Sequence, residues 1–311
     1  MRRILLRILL LLVVLFFSVF LVYTLLYLAP GDPIGALLGP QSATPGQVQL
    51  LREQYGLDDP FFERFSGWLW GVLQGDLGRS MVYQQSVFNM ILARVPTTLL
   101  LVGLSTLFIV IIGFTWGTRA GISRGAWSNV HLAISTVLLS TPVFITSVGL
   151  IYLFAVVLGW FPAFGSGSDL ITGIWHMVLP VIALSLPAAA YLSRITYSSV
   201  RGELNREHVE TAESRGFSRG YIIRTHVVRN ALIPMVTVAG NSAVTLVAGS
   251  AIIETIFALD GVGSLLVRAI LQSDFALAQG ILLFIAVFIV LVNAFVDTLY
   301  FVLDPRIRRA R

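Results

Sequence analysis

Long uncharged runs alternate with short polar segments along this chain. Leu170–Ser193 and Ala231–Ile253 contain no Asp, Glu, Lys or Arg. A helix needs about 20 apolar residues to cross a hydrocarbon layer. Six stretches are long enough, and the pattern predicts spans over residues 8–29, 97–118, 131–158, 176–199, 230–257 and 277–302. The uncharged run continues from Val130 to Ser168, but its last third holds Pro162, Gly165 and Gly167. It reads as one span followed by a loop. The first stretch follows Arg2, Arg3 and Arg7, as in a signal peptide. Its apolar part is too long for that, and Tyr23–Ala29 offers no small-x-small cleavage site, so a retained span is expected.

Between the first two spans lies the longest polar segment, residues 30–95. Pro30-Gly31-Asp32-Pro33 reads as a turn. Thr44-Pro45 can start a helix running through Tyr55. Phe61–Leu73 is amphipathic and aromatic, suited to a membrane–water interface or to a small lid packed on the spans. Gly113, Gly117 and Gly121 recur every four residues on span 2, a face for close helix approach rather than a pore. Pro180 and Pro187 interrupt the hydrogen-bond ladder of span 4, and Pro234 sits at the start of span 5. These helices are expected to bend and to border a cavity.

Composition agrees. Hydrophobic residues make up 56% of the chain and charged ones 12%, with a mean hydropathy of +0.85. Soluble domains are about a quarter charged. An all-α integral membrane protein is expected, a single transmembrane domain over 1–311. Every basic residue is Arg, which excludes a phosphate-binding loop ending in Gly-Lys-Ser/Thr and any Lys nucleophile. There is no Cys for thiol chemistry or thiolate metal sites. With the N-terminus in the cytoplasm, 16 of the 21 Arg fall inside and 5 outside. That asymmetry predicts N-in, C-in topology. It also places the net charge of +5 without nucleic acid as a partner; membrane lipid is the expected surroundings.

The most informative polar segment is 201–229, between spans 4 and 5. Asn205 is placed to cap a helix with Glu207 and Glu210 in its first turns. That helix should run to about Arg215 and end at Gly216 in a left-handed conformation. Ser218 would cap a second helix leading into span 5. A solvated charged face is the plain alternative. However, Val209, Ala212, Phe217, Tyr221 and Ile222 interleave with the charges and have no soluble domain to cover them. They call for a partner. If ATP drives this protein, another chain binds it.

These residues resemble the inner-membrane permease subunits of ABC importers, in the dipeptide, oligopeptide and nickel group. The permease signature is Glu-Ala-Ala, three residues, then Gly; here it reads Glu210, Thr211, Ala212 and Gly216. Pro234 follows Gly216 at the spacing typical of that group, after His226 and Arg229 to Ile233. PGDP at 30–33, YGLDDP at 55–60, GDLGRS at 75–80, RVPTTL at 94–99, ETIFALDGVG at 254–263 and DPRIR at 304–308 extend the likeness over most of the chain. Glu213 and Ser214 replace a usual basic, Ala-rich stretch, and Asp260 replaces a usual Pro. The resemblance implies a type I importer permease fold of six spans in the bacterial or archaeal inner membrane. It implies a second homologous permease subunit, two ATPase subunits binding ATP and Mg, and an extracytoplasmic binding protein that delivers peptides. Glu210, Thr211, Ala212, Gly216, Phe217 and Arg219 would couple to the ATPases. No cofactor is implied in this chain. Nickel chelates or glutathione-like compounds are alternative cargo.

Asn241, Ser242 and Thr245 on span 5 either line the pathway or join helices. Asp297 lies on span 6, four residues after Asn293. A carboxylate there needs a partner, and Arg194 is the candidate for a structural ion pair. His131 and His176 sit near opposite interfaces; His176 beside Met177 could touch nickel, but a hydrogen-bonded role is the simpler one, and no metal site is expected. An ion-coupled secondary transporter would have Asp297 and Glu254 for its chemistry. A membrane enzyme would need a catalytic cluster that the sequence lacks. The topology predicts that reporter tags at residues 45 and 311 lie on opposite sides of the membrane; a same-side result would overturn it.

Overall fold

The computed structural model of the chain describes residues 2–28, 34, 45–54, 58–123, 125–167 and 169–303. Regular structure among them is helical, apart from one isolated bridge between Arg79 and Ser86. The helices are α1 (Arg2–Leu28), α2 (Pro45–Gln54), α3 (Phe61–Leu73), α4 (Val87–Ile122), α5 (Ala126–Ser140), α6 (Val143–Leu150, continued by a wide π segment, Ile151–Val157) and α7 (Leu170–Leu204). Then follow α8 (Glu207–Ser214), α9 (Arg219–Ile222, continued by a π segment, Ile223–Val228), α10 (Arg229–Ile256), α11 (Val262–Leu271) and α12 (Phe275–Leu303). The turn expected at 30–33 and the DPRIR motif from 304 lie outside the described residues.

Among the described residues four helices are long and apolar enough to cross a membrane: α1 over Leu9–Leu28, α4, α7 over Ile171–Leu204 and α12 over Phe275–Val296. The third expected span is not one rod. It is broken into α5 and α6, bent by 103°. Thr141 adopts an extended conformation and Pro142 precedes the second helix. A residue before proline is driven out of the helical region, so the helix stops there. If the bent pair is one span, the count becomes five. The 28 residues of α10 coincide with the fifth expected span, and at 1.5 Å per residue they extend roughly 42 Å. Pro180 and Pro187 both lie inside a helix of 35 residues, without ending it. The second span begins earlier than its hydropathy suggests: α4 starts at Val87 and passes through Pro96.

The chain divides into two compact units, Met1–Thr97 with Asp260–Leu291, and Thr98–Leu259 with Val292–Arg311. The first has an apolar core built from Val87, Met90 and Ile91 of α4, Val262, Leu265 and Ala269 of α11, and Leu277, Ala278 and Ile281 of α12. At its edge sits a buried carboxylate, Asp274. It accepts hydrogen bonds from the Ser80 hydroxyl, from the amides of Met81 (3.3 Å) and Val82 (3.2 Å), and from the Leu277 amide (3.2 Å). One side chain thus caps α12 and ties down the loop after GDLGR. Four donors to one carboxylate offset the cost of burying its charge.

The second unit is organised on α7, which packs against α5, α6 and α10. The N-terminus of α7 carries a reciprocal cap. Asp169 accepts from the Thr172 amide (2.8 Å), and the Asp169 amide donates to the Thr172 hydroxyl (3.1 Å). The Thr172 amide first, and the Thr172 hydroxyl donating to Oδ1 (3.0 Å) second, favour the ionised form and hold the Asp169 carboxyl below its usual pKa. The cap is therefore intact above the ordinary Asp range and is lost only as the pH falls through the depressed value. The glycine face of α4 meets α7 as expected. A Cβ on Gly113 would come within 2.9 Å of Leu192, and one on Gly121 within 2.8 Å of Val200. On Gly117 it would collide with the Ser193 carbonyl oxygen and lie 2.6 Å from Thr196 Cβ. His131 is buried near the same contact: Nε2 lies 3.1 Å from Ser193 Oγ, with the Trp116 ring at 4.7 Å and the Tyr197 ring at 5.4 Å.

Gly117→Ala is expected to force α4 away from backbone that cannot yield, costing about 1–3 kcal/mol. Gly103→Ala, on the same helix with nothing within 4 Å, is expected to leave stability unchanged or slightly raised. Thermal unfolding of the two purified variants in detergent checks this. Equal melting temperatures would count against the close-packed face.

Candidate functional site

The polar segment between α7 and α10 folds as two helical arms around a glycine elbow. Arg206, not Asn205, stands at the N-cap of α8, and no side chain bonds there. Asn205 instead ends α7, at φ −100°. With so short a connection, α7 uses the residue that was expected to start the next helix. The first turn of α8 does carry Glu207 and Glu210, favourable beside its unsatisfied amides. Its end is as expected. Gly216 has φ +80°, its amide donates to the Glu213 carbonyl (2.9 Å), and the Phe217 amide donates to the Ala212 carbonyl (3.2 Å). This pair of bonds is the Schellman stop, which needs a left-handed residue. Ser218 occupies the N-cap of α9, but its hydroxyl makes no capping bond. From Arg219 the helix continues through its π segment into α10 without a gap.

The apolar residues of this segment divide into two sets. Val209, Ala212, Ile222 and Val227 are buried within the chain. The expectation that the whole apolar face awaits a partner is corrected for these. Phe217 and Tyr221 remain, each 48% exposed. Their rings stack at 5.3 Å and 17°, directly after the elbow. Thr211 is exposed, and its hydroxyl is spent on the Glu207 carbonyl at 2.9 Å. Glu210, Gly216 and Arg219 are exposed as well. A polar cleft of about 510 Å³ lies beside the elbow, lined by Arg201, Asn205, Glu210, Glu213 and Arg219 among others.

Two anchoring interactions were not legible in the sequence. Arg201 donates to the Ser123 carbonyl (2.9 Å), fastening the end of α7 to the residue after α4. Glu203 pairs with Arg206 (3.1 Å) and approaches His208 Nε2 (3.6 Å). The three-residue spacing of Glu203 and Arg206 is the only local signal for this cluster.

The other candidates are scattered. Asn241 and Thr245 are exposed on α10, and Ser242 is half-buried. The hydroxyls of Ser242 and Thr245 bond to carbonyls of their own helix, Val238 at 2.8 Å and Asn241 at 3.2 Å. Arg194 is exposed on α7; the side chain of Asp297 lies outside the described residues. His176 Nδ1 is 2.8 Å from the Thr172 carbonyl. Among the described residues no three His, Asp or Glu side chains gather to hold a metal ion. Glu254 is buried on α10 and accepts from the Thr98 hydroxyl at 2.8 Å. Asp260, standing where the resembling family has Pro, takes the Arg94 and Arg268 guanidinium groups on one oxygen, each at 2.9 Å.

Long apolar helices with a polar elbow between them define a multi-helix membrane protein. A chain of the MetNI methionine ABC transporter, in inward-facing crystal structures, aligns with a TM-score of 0.58 at 19% identity. The match covers 69% of this chain and 96% of that one. That likeness is one of fold. Residues 109–309 match the model for the binding-protein-dependent transport system inner membrane component, and residues 1–102 match the model for its N-terminal part. The chain belongs to this family, the inner-membrane permeases of ABC importers, and is a multi-pass membrane protein. A putative peptide transport system permease protein of Brucella abortus (strain 2308) is 36% identical, over 93% of each chain. The dipeptide transport system permease protein DppB of Escherichia coli (strain K12) is 33% identical, over 94% of each. Members of such a family work with an ATPase and a binding protein.

Phe217→Ala and Tyr221→Ala are expected to change stability by less than about 0.5 kcal/mol each, because the rings pack mainly on each other at the surface. Ile222→Ala removes a fully buried side chain and is expected to cost about 2–5 kcal/mol. Melting temperatures of the three variants check the division between free and committed apolar residues.

Proposed function

We propose that the chain is one permease subunit of an ATP-driven importer for peptides. It forms half of the translocation pathway as a single six-span domain, 1–311, with both ends in the cytoplasm. A second homologous permease forms the other half. Two ATPase subunits bind ATP and Mg and dock on the elbow. An extracytoplasmic binding protein delivers the cargo. Peptides are the favoured cargo because the relatives named above are peptide and dipeptide permeases. Neutral Asn241, Ser242 and Thr245 suit a peptide backbone, which offers amide donors and acceptors without net charge. Asp297 pairs with Arg194 as an internal tie.

The observation that carries this reading is the Gly216 elbow, followed by an exposed aromatic pair. Glu210, Thr211, Ala212, Phe217 and Arg219 surround it. A rigid bend with a free apolar tip transmits the motion of a docked partner, whereas a flexible loop would absorb it. The element biased from both sides is then the permease itself, between inward- and outward-open states.

Nothing lies within 4 Å of a Cβ built on Gly216, so a substitution there is strained by φ alone. The expected order of peptide-stimulated ATP hydrolysis and uptake is therefore Gly216→Asn, then Gly216→Ala, then Gly216→Val. Asn tolerates a left-handed conformation best, and a β-branched residue least. Abundance in the membrane is expected to stay normal, since lipid burial drives insertion of the spans. The assay is uptake into vesicles with and without the ATPase subunits. Wild-type coupling by Gly216→Val at normal abundance would sink the reading of the elbow, and uptake without ATPase subunits would sink the ATP-driven mechanism.

A further inference from the structure

Helix α3 has two apolar faces: one packs on α1, and the other carries large exposed side chains. Phe61, Phe65 and Trp68 pack edge-on or tilted against α1: Phe61 lies 5.9 Å from Phe20, Phe65 lies 5.2 Å from Phe20 and 5.1 Å from Tyr23, and Trp68 lies 5.2 Å from Tyr23. The Phe65 ring also reaches Phe16, at 6.3 Å. Phe16, Phe20 and Tyr23 all fall within Leu9–Leu28, the stretch of α1 that is long and apolar enough to cross the membrane. So α3, too short to cross by itself, is laid along part of a spanning helix.

On the other face, Phe62, Trp70 and Leu73 are 74%, 66% and 72% exposed. At 100° per residue the three fall within roughly 80° of the helix circumference, a single stripe. Charge is confined to the first turn of α3, at Glu63 and Arg64. The Arg64 guanidinium sits 5.4 Å over the ring of Tyr27, beside the end of α1 at Leu28. From Phe65 to Leu73 no charged residue occurs. The charged end therefore lies near the end of the span, while Phe65 and Trp68 pack farther back along it, on Phe16, Phe20 and Tyr23.

We propose that α3 is embedded in the lipid leaflet that the C-terminal end of α1 reaches, with Phe62, Trp70 and Leu73 seated among the acyl chains. The occupant of the stripe is bilayer lipid. A large apolar stripe in water would be unfavourable, whereas beside a spanning helix it is continuous with that helix's own lipid-facing side. The helix braces α1 by its aromatic face while lipid holds its outer face. This inference is independent of the transported cargo and of the elbow.

The absence of cysteine makes the test direct. Phe62→Cys, Trp70→Cys and Leu73→Cys would each carry a nitroxide label. Gln49→Cys, exposed on α2, serves as the water-facing control. The full-length chain, with the subunits that copurify with it, is reconstituted in phosphatidylcholine vesicles. Collision with oxygen is compared with collision with a water-soluble nickel chelate. Labels at 70 and 73 are expected to favour oxygen several-fold more than the label at 49, with 62 between them. Chelate accessibility at 70 and 73 equal to that at 49 overturns the proposal. So does shielding from both reagents that appears only on adding the binding protein, which would make the stripe a protein-docking surface. Should a labelled variant fail to assemble, Trp70→Phe gives a second reading. It is expected to lower the fraction of intrinsic fluorescence quenched by lipids with brominated acyl chains, and an unchanged fraction overturns the proposal.

Discussion

Backbone polar groups cannot find water inside a bilayer, so each must be satisfied within the protein. This constraint accounts for most of what is seen. Regular structure among the described residues is helical apart from one bridge. Hydroxyls on the apolar helices turn back on their own carbonyls, as Ser185 does to Val181 (2.6 Å) and Thr106 to Val102 (2.8 Å). Wide π segments continue α6 and lead into α10, so the helical ladder runs on through them. Where the helix does stop abruptly, at Thr141 and Pro142, the chain turns by 103° and starts again.

The same constraint decides where irregular backbone is affordable. It gathers at the helix ends, and there a few side chains hold it. Asp274 is one such point, with four donors on one buried carboxylate. Gly216 is another, with two backbone bonds in place of side-chain caps. The first joins residues 194 apart in sequence and is a matter of tertiary structure. The second is wholly local. A bend fixed by its own backbone bonds does not depend on distant contacts for its angle.

Close helix approach supplies the rest of the rigidity. Apolar side chains gain little by leaving lipid for one another, so packing contact rather than hydrophobic burial holds such helices together. Gly113, Gly117 and Gly121 let α4 lie against the backbone of α7, and His131 fills the space beside that contact among Trp116, Ser193 and Tyr197. The arm that bears the elbow thus extends from α7, which packs against α4, α5, α6 and α10.

The apolar length of α1, α4, α7 and α12, the glycine packing face and the left-handed stop at Gly216 followed from the sequence, whereas the break of the third expected span at Thr141 and Pro142 did not. Each of the first three rests on local chemistry: apolar length, a four-residue period, and a residue without Cβ after a helix. The assignment to a permease family was legible because its short motifs keep their order along most of the chain. Which residues of that segment are free was not legible. Val209, Ala212 and Ile222 look as available as Phe217 and Tyr221 until the fold buries them. Asn205 has the chemistry of a helix start, yet it serves a helix end, because two helices competed for one short connection. The Asp274 cluster, the covering of one face of α3 by α1 and the buried place of His131 needed the tertiary structure. Each depends on residues far apart in the chain, whose meeting no local pattern encodes.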